Sequence, residues 1–206
     1  MWRNRWVLLE TVGLMVLLSA THLEGIRPAR AEGDRTVKGT VSLPPDSGSV
    51  RDVVVYLEGK IGTARPTGAV MDQKDMTFIP HVLPVVVGST VEFRNSEVVL
   101  HNVFSRSPIA PFDLGLLRKG DARSVTFDKP GVVEILCNVH PKMRAFVLAV
   151  ENNYFATPNE RGIYEITGIP AGRYKLRAWH ESLPPIETWA NVDQATIENI
   201  DLPFKR

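Results

Sequence analysis

The stretch Cys137-Asn138-Val139-His140-Pro141-Lys142-Met143 lies between two apolar runs, Val132 to Leu136 and Ala145 to Val150. Short apolar runs bounded by turn residues read as strands, so the stretch is a corner that joins two of them. The same texture extends in both directions. Upstream, Val98 to Phe104 and Ser124 to Phe127 read as strands, and Val85 to Val91 as two short pieces divided at Gly88. Nearer the start come Val37 to Val41 and the β-branched run Asp52 to Leu57. Downstream lie Gly162 to Thr167, Arg173 to Trp179 and Thr196 to Leu202. Turn signals such as Pro44-Pro45-Asp46, Lys129-Pro130-Gly131 and Pro170-Ala171-Gly172 punctuate them. Past the first thirty or so residues, no window sustains a helical apolar period. The expected class is all-β sandwich, with the 15 prolines and 15 glycines mostly at corners.

The corner also gathers donors. His140 follows Cys137 by three residues and Met143 follows by three more, while His101 stands on a separate segment that begins at Gly88. Singly, each has an ordinary explanation: a free Cys packs as a small hydrophobe, a Met fills core, and a His is a satisfied polar side chain. Ordinary packing does not require their joint spacing. Two imidazoles, one thiolate and a weak thioether suit blue copper, because the set lies between the geometries that Cu(I) and Cu(II) prefer. The expected cofactor is therefore one type 1 copper per chain, held by His101, Cys137, His140 and Met143. Structural zinc needs several closely spaced Cys or His, and the chain has a single Cys. A binuclear copper centre needs a second Cys, and the His-x-His pairs of multicopper oxidases are missing. Met71, Met76 and His81 form a second, looser set that could hold Cu(I), against core packing as the ordinary role of Met. His180-Glu181 closes a strand without a nucleophile beside it.

These residues resemble the cupredoxins, the amicyanin or methylamine-utilisation type most closely. That family's short ligand loop reads Cys-x-x-His-Pro-x-Met, which residues 137 to 143 match in length and in Pro141. The segment from Val87 to Asn95, followed by His101-Asn102-Val103, matches its strand leading to the first ligand. The resemblance covers residues 68 to 151 and implies a Greek-key sandwich with copper at one end. It further implies that Asn102 helps fix the thiolate by hydrogen bonding, and that Met76 to Pro80 form an early strand beside the copper. The function it implies is one-electron transfer with a redox protein partner, a dehydrogenase or a cytochrome, and no catalytic residues. Three rivals stand beside it. One is copper binding or trafficking with the same ligands. Another is a copper enzyme, which an axial Met disfavours by filling the open position. The last is a structural binding module with incidental copper.

From Tyr154 onward the texture changes. Gly162 to Ile166, then Gly168-Ile169-Pro170-Ala171-Gly172 and the strand beyond, resemble the carboxypeptidase regulatory-like, transthyretin-type sandwich. In that strand Tyr174, Leu176 and Ala178 share one face, and Lys175, Arg177 and Trp179 the other. Simple hairpin packing explains the same turns less specifically. Residues 36 to 60 have the texture of that family's opening strands. The expected organisation is therefore a copper domain, 68–151, inserted into a small sandwich made from 36–60 and 153–206, since insertion at a loop tip is well tolerated.

The first 31 residues read as a signal peptide. Arg3 and Arg5 precede the mostly apolar run Trp6 to Ala20, and Ala29-Arg30-Ala31 supplies a small-x-small cleavage pattern. A retained anchor is the alternative, but the run is short for a bilayer and carries Glu10. Export implies the periplasm, with no stable membrane insertion after cleavage. Four basic and two acidic side chains leave with the signal, so 24 against 23 becomes 20 against 21, a net charge of −1. A near-neutral chain with no long basic run argues against nucleic acid as a partner. Exported proteins use cysteines in pairs, so a lone Cys137 is filler, nucleophile or ligand.

Overall fold

A computed structural model describes residues 35–193 and 197–206. The signal segment 1–31 and Thr196 lie outside the described residues. Within them the chain forms β1 (Arg35–Ser42), β2 (Val54–Leu57), β3 (Gly68–Lys74), β4 (Thr77–Ile79), β5 (Val82–Val86) and β6 (Ser89–Asn95). There follow β7 (His101–Ser105), β8 (Phe112–Leu117), β9 (Ala122–Phe127), β10 (Gly131–Leu136), β11 (Arg144–Val150) and β12 (Phe155–Ala156). The last are β13 (Ile163–Ile169), β14 (Arg173–Trp179), β15 (Ile186–Asn191), β16 (Ile197–Asn199) and β17 (Leu202–Pro203). One 3₁₀ turn, Val50–Asp52, interrupts them among the described residues, which are otherwise all-β. Among the described residues no helix is long and apolar enough to cross a membrane.

Strands β3 to β11 make one sandwich, with sheets ordered β5-β11-β10-β7-β8 and β4-β3-β6-β9. Alternation along β6 sends Val91, Phe93 and Asn95 inward and Thr90 and Arg94 outward. Val91 and Phe93 meet Val103, Ile135 and Val147 from the facing sheet in one buried cluster. Gly88 lies where the chain leaves one sheet for the other. The Val87 N–H donates to Val150 O at the end of β11, and the next amide, Gly88, donates to Phe127 O on β9, both at 2.8 Å. That change of direction uses φ 91° at Gly88, a conformation that costs glycine little.

A second sandwich draws on both ends of the chain. β1 pairs with β13, β16 and β17, and β2 pairs with β12 and β14. Its core joins Val37, Val55, Leu57, Ile166, Leu176 and Leu202. The chain's last segment crosses β1 so closely that a Cβ on Gly39 would lie 1.8 Å from Ile200 O; only glycine fits there. On β14, Leu176 and Ala178 enter this core, while Lys175 and Arg177 pair with Glu58 and Glu187 at 2.7–3.2 Å.

The two sandwiches share a third apolar cluster. β11 is buried on both sides after Arg144: Ala145, Val147 and Ala149 face the first core, while Phe146, Leu148 and Val150 meet Val54, Tyr56 and Trp179. The Phe146 and Trp179 rings pack edge to face at 5.3 Å. A strand covered on both faces reads as a continuous apolar run rather than an alternating one, which is how Ala145 to Val150 appears in the sequence.

Six features differ from the sequence expectation. Four strands, β3, β8, β12 and β15, form where the sequence reading names none, and the expected strand Thr196 to Leu202 is divided into β16 and β17. β3 holds Gly68, Ala69 and Asp72, all poor strand formers, and β8 carries Gly115 at φ 67° beside a register shift. β15 buries only Ala190, so it lacks an apolar run. The expected strand Val98 to Phe104 begins instead at His101, and Val98 to Leu100 are exposed loop.

Candidate metal centre

His101 opens β7 and is 0% exposed. β7 runs antiparallel to β10, with Leu136 opposite Phe104, so the chain leaving β10 places Cys137 beside Asn102. The Met143 N–H then donates to His140 O at 2.8 Å and tightens the corner before β11. As a result Nδ1 of His101 and Nδ1 of His140 face each other at 3.0 Å. With the Cys137 sulfur, the ligand atoms all lie within 4.8 Å of one another. Cys137 is buried and His140 half-buried, so this end of the sandwich reaches solvent through His140. Met143 is 1% exposed and packs in the same buried cluster as Cys137.

Two nitrogen lone pairs at 3.0 Å repel unless a proton or cation lies between them. The Glu97 carboxylate meets His101 at Nε2. An ionised carboxylate only accepts, so Nε2 carries the hydrogen and a neutral His101 presents a bare Nδ1 toward His140 and Cys137. Glu97 is itself anchored: its carboxylate also accepts the Met76 N–H at 3.1 Å, and its own N–H donates to Asn95 Oδ1 at 2.9 Å. Burial pushes the Glu97 carboxyl up, but the Met76 amide and the His101 ring outweigh it and hold the group below its ordinary range. Asn95 shapes the same loop, donating to Val99 O and Leu117 O at 2.8 and 2.9 Å.

Behind the sulfur, the Asn102 main-chain N–H lies 3.4 Å from Cys137 Sγ. The Asn102 side chain points elsewhere, donating to Asp113 Oδ1 at 2.8 Å and accepting from the Asn138 N–H at 3.4 Å. The Gly115 amide and this Asn102 contact hold the Asp113 carboxyl below its usual range. Sequence reasoning missed both carboxylates. Glu97 sits four residues before a ligand on an irregular loop, and Asp113 reaches Asn102 only because β8 pairs with β7; neither leaves a local pattern.

The looser Met and His set does not gather. Met71 is fully buried in the first core, Met76 is 57% exposed on a turn, and His81 Nε2 pairs with Glu181 at 2.8 Å. His180 is buried, with Nδ1 accepting from the Ser182 N–H at 3.3 Å; burial lowers its tendency to protonate.

Residues 67–150 match the family model described as copper binding proteins of the plastocyanin/azurin family. This segment is a cupredoxin domain. Among solved structures, the chain is similar to a purple cupredoxin from Nitrosopumilus maritimus, with 26% identity over 39% of this chain and 98% of that one, at a TM-score of 0.37. It is similar to an oxidised mutant of amicyanin, with 31% identity over 39% of this chain and 80% of that one, at a TM-score of 0.38. A copper-containing nitrite reductase from Thermus scotoductus shares 24% identity over 54% of this chain and 28% of its own, at a TM-score of 0.40. No curated protein sequence matches the chain. The cupredoxin domain is a copper-binding domain of the electron-transfer type, and its residues fit the metal. A thiolate and two imidazoles converge, and a thioether is buried in the same cluster as the thiolate, a soft set suited to copper.

Proposed function

We propose that this protein is an exported one-electron carrier that holds a single type 1 copper through His101, Cys137, His140 and Met143, and serves a redox partner in the periplasm. The observation that carries the reading is the convergence of one ring nitrogen each from His101 and His140 and the Cys137 sulfur within 4.8 Å at one end of the sandwich, with the two Nδ1 atoms 3.0 Å apart. Copper bound there supplies one-electron chemistry between Cu(II) and Cu(I). The chain's own residues do the rest. Buried His101 is held by Glu97, the Asn102 N–H faces the sulfur, and the Met143 N–H closes the corner onto His140. Fixed donors cannot follow the preference of either oxidation state, so little rearrangement accompanies transfer.

His140 offers the route to solvent. Pro141 beside it is exposed, as are Val139 on the same corner, Met76 on the β3–β4 turn and Val98, 80% exposed, on the loop before His101. Small apolar surfaces suit the brief docking that electron carriers need, and Lys142 at the rim would act on encounter rate more than on affinity. A dehydrogenase or a cytochrome is the partner class this surface fits. The second sandwich we read as carboxypeptidase regulatory-like, with the copper domain, 68–151, inserted between its opening strands, 36–60, and the remainder, 153–206.

Redox titration with a small cytochrome as acceptor tests the reading. A reversible one-electron couple with rapid exchange supports a carrier, whereas copper release to a chelator without exchange supports trafficking. Turnover of nitrite or oxygen would instead make the protein an enzyme.

A further inference from the structure

The contact between the two sandwiches has unlike ends. Past the end of β11, Asn152 ties the crossing points by donating to Leu57 O and Gly59 O, both at 2.7 Å. Phe146, Leu148, Val150, Val54 and Trp179 fill the middle with apolar packing. Beside the start of β11 the contact is charged. There His81, on the link between β4 and β5, meets Glu181, on the link between β14 and β15, with Nε2 and Oε1 2.8 Å apart. The His81 side chain is 32% exposed and that of Glu181 26%, so water and salt screen the pair only in part. The His81 carbonyl accepts the Phe146 N–H at 2.9 Å, and the His81 ring packs edge to face on Phe146 with centroids 5.8 Å apart. A cleft of about 510 Å³ opens at this end, between Ile79, Pro80 and His81 on one sandwich and Arg51, Asp52 and Thr157 on the other.

We propose that His81 and Glu181 are a pH-sensitive latch that closes one end of the contact between the sandwiches, with the Asn152 crossing as its hinge. An imidazole is the side chain whose charge ordinarily changes between about pH 5 and pH 8. Charged, His81 faces two carboxyls from the other sandwich, Glu181 and Asp52. Burial pushes the Asp52 carboxyl up, opposed by the charge of His81 and reinforced by that of Glu181. The neighbouring cations do not replace His81. Arg51 pairs with Glu160 at 3.4 Å and Arg144 with Glu134 at 2.6 Å, while His180 is buried, which disfavours its protonation. As rising pH removes the His81 charge, the hydrogen bond to Glu181 remains, but two carboxylates are left to repel each other in one half-buried cleft. The latch end then loosens, while the apolar middle and the hinge hold. β4 ends two residues before His81, so the latch also steadies the strand that follows Met76 in the surface proposed for docking. That consequence alone rests on the carrier reading.

Amide exchange in the metal-free protein tests the latch. The protection factor of the Phe146 amide, in which the intrinsic pH dependence of exchange is already divided out, should fall at least about threefold between roughly pH 5 and pH 8. The Leu57 amide, which donates to Tyr154 O at 2.9 Å beside the hinge, should keep its protection throughout. His81→Gln keeps a donor but cannot titrate, so Phe146 protection should stay level across the range. Glu181→Gln keeps an acceptor oxygen without the charge, so it should start from lower protection and lose most of the dependence. A level wild-type profile would overturn the proposal. So would a full pH dependence in either variant, or an equal fall at Leu57, the mark of the whole contact loosening. A protein that shows the latch yet binds no copper would end the carrier reading and leave the latch standing; a copper carrier with a level profile would do the reverse.

Discussion

Met143 is the weakest donor of the four expected ligands, and its place in the sequence is its main distinction: a thioether three residues after His140, buried to 1% exposure. An axial thioether leaves the two imidazoles and the thiolate dominant and helps to set the potential. Met143→Gln should therefore lower the potential while copper stays bound, measured by redox titration of the blue band. An unchanged potential would make Met143 core alone. The contrast with Glu97 explains what was legible at this scale. Soft donors are rare and must arrive together, so Cys137, His140 and Met143 stand out from a sequence with one Cys and 5 Met. Carboxylates are common in loops, and which one reaches His101 depends on how the chain folds back between Asn95 and β7. Asn102 was legible as a neighbour of the sulfur but not in detail: the main-chain N–H faces Cys137, and the side chain serves Asp113.

On the proposed reading, docking of a redox partner depends on the ligand corner. Pro141 offers no N–H and presents an exposed apolar ring between His140 and Lys142. Pro141→Glu should slow electron exchange with an acceptor protein about tenfold or more, since a charge placed on a small apolar contact must be desolvated or repelled; the visible spectrum should be nearly unaltered. Stopped-flow exchange at fixed ionic strength checks this, and an unaltered rate would place the port elsewhere. Strands were legible where burial leaves a pattern. The double-sided burial of β11 produced an unbroken apolar run, and the break at Gly88 marked a change of sheet. β3 and β15 lack such a run because much of each strand faces solvent. Val98 to Leu100 misled in the opposite sense: they look like the start of a strand but lie exposed in the loop before His101.

At the scale of the molecule, strand pairings carry the chain from one sandwich to the other and back. β1 and β2 pair with strands after residue 154, and the cupredoxin domain departs and returns between them. The side chain of Asn152 fastens the two crossing points by donating to Leu57 O and Gly59 O, both at 2.7 Å. If the outer sandwich is a folding unit, deleting residues 62–151 and joining the ends with a short linker should leave a β domain visible by circular dichroism. Loss of the copper domain would bare Val54, Tyr56 and Trp179, so that fragment should self-associate as its concentration rises. A disordered fragment with freely exchanging amides would show instead that the outer strands depend on the inserted domain.

The optical spectrum of the copper-loaded protein tests the central claim most directly. Cys137 is the one soft anion at the site, and its sulfur faces two imidazole nitrogens within 4.8 Å. The oxidised protein should bind one copper and show an intense visible thiolate-to-copper band, which Cys137→Ser should abolish because a hydroxyl cannot replace the thiolate. A colourless wild-type protein in the presence of Cu(II), or colour that survives in Cys137→Ser, would contradict the account.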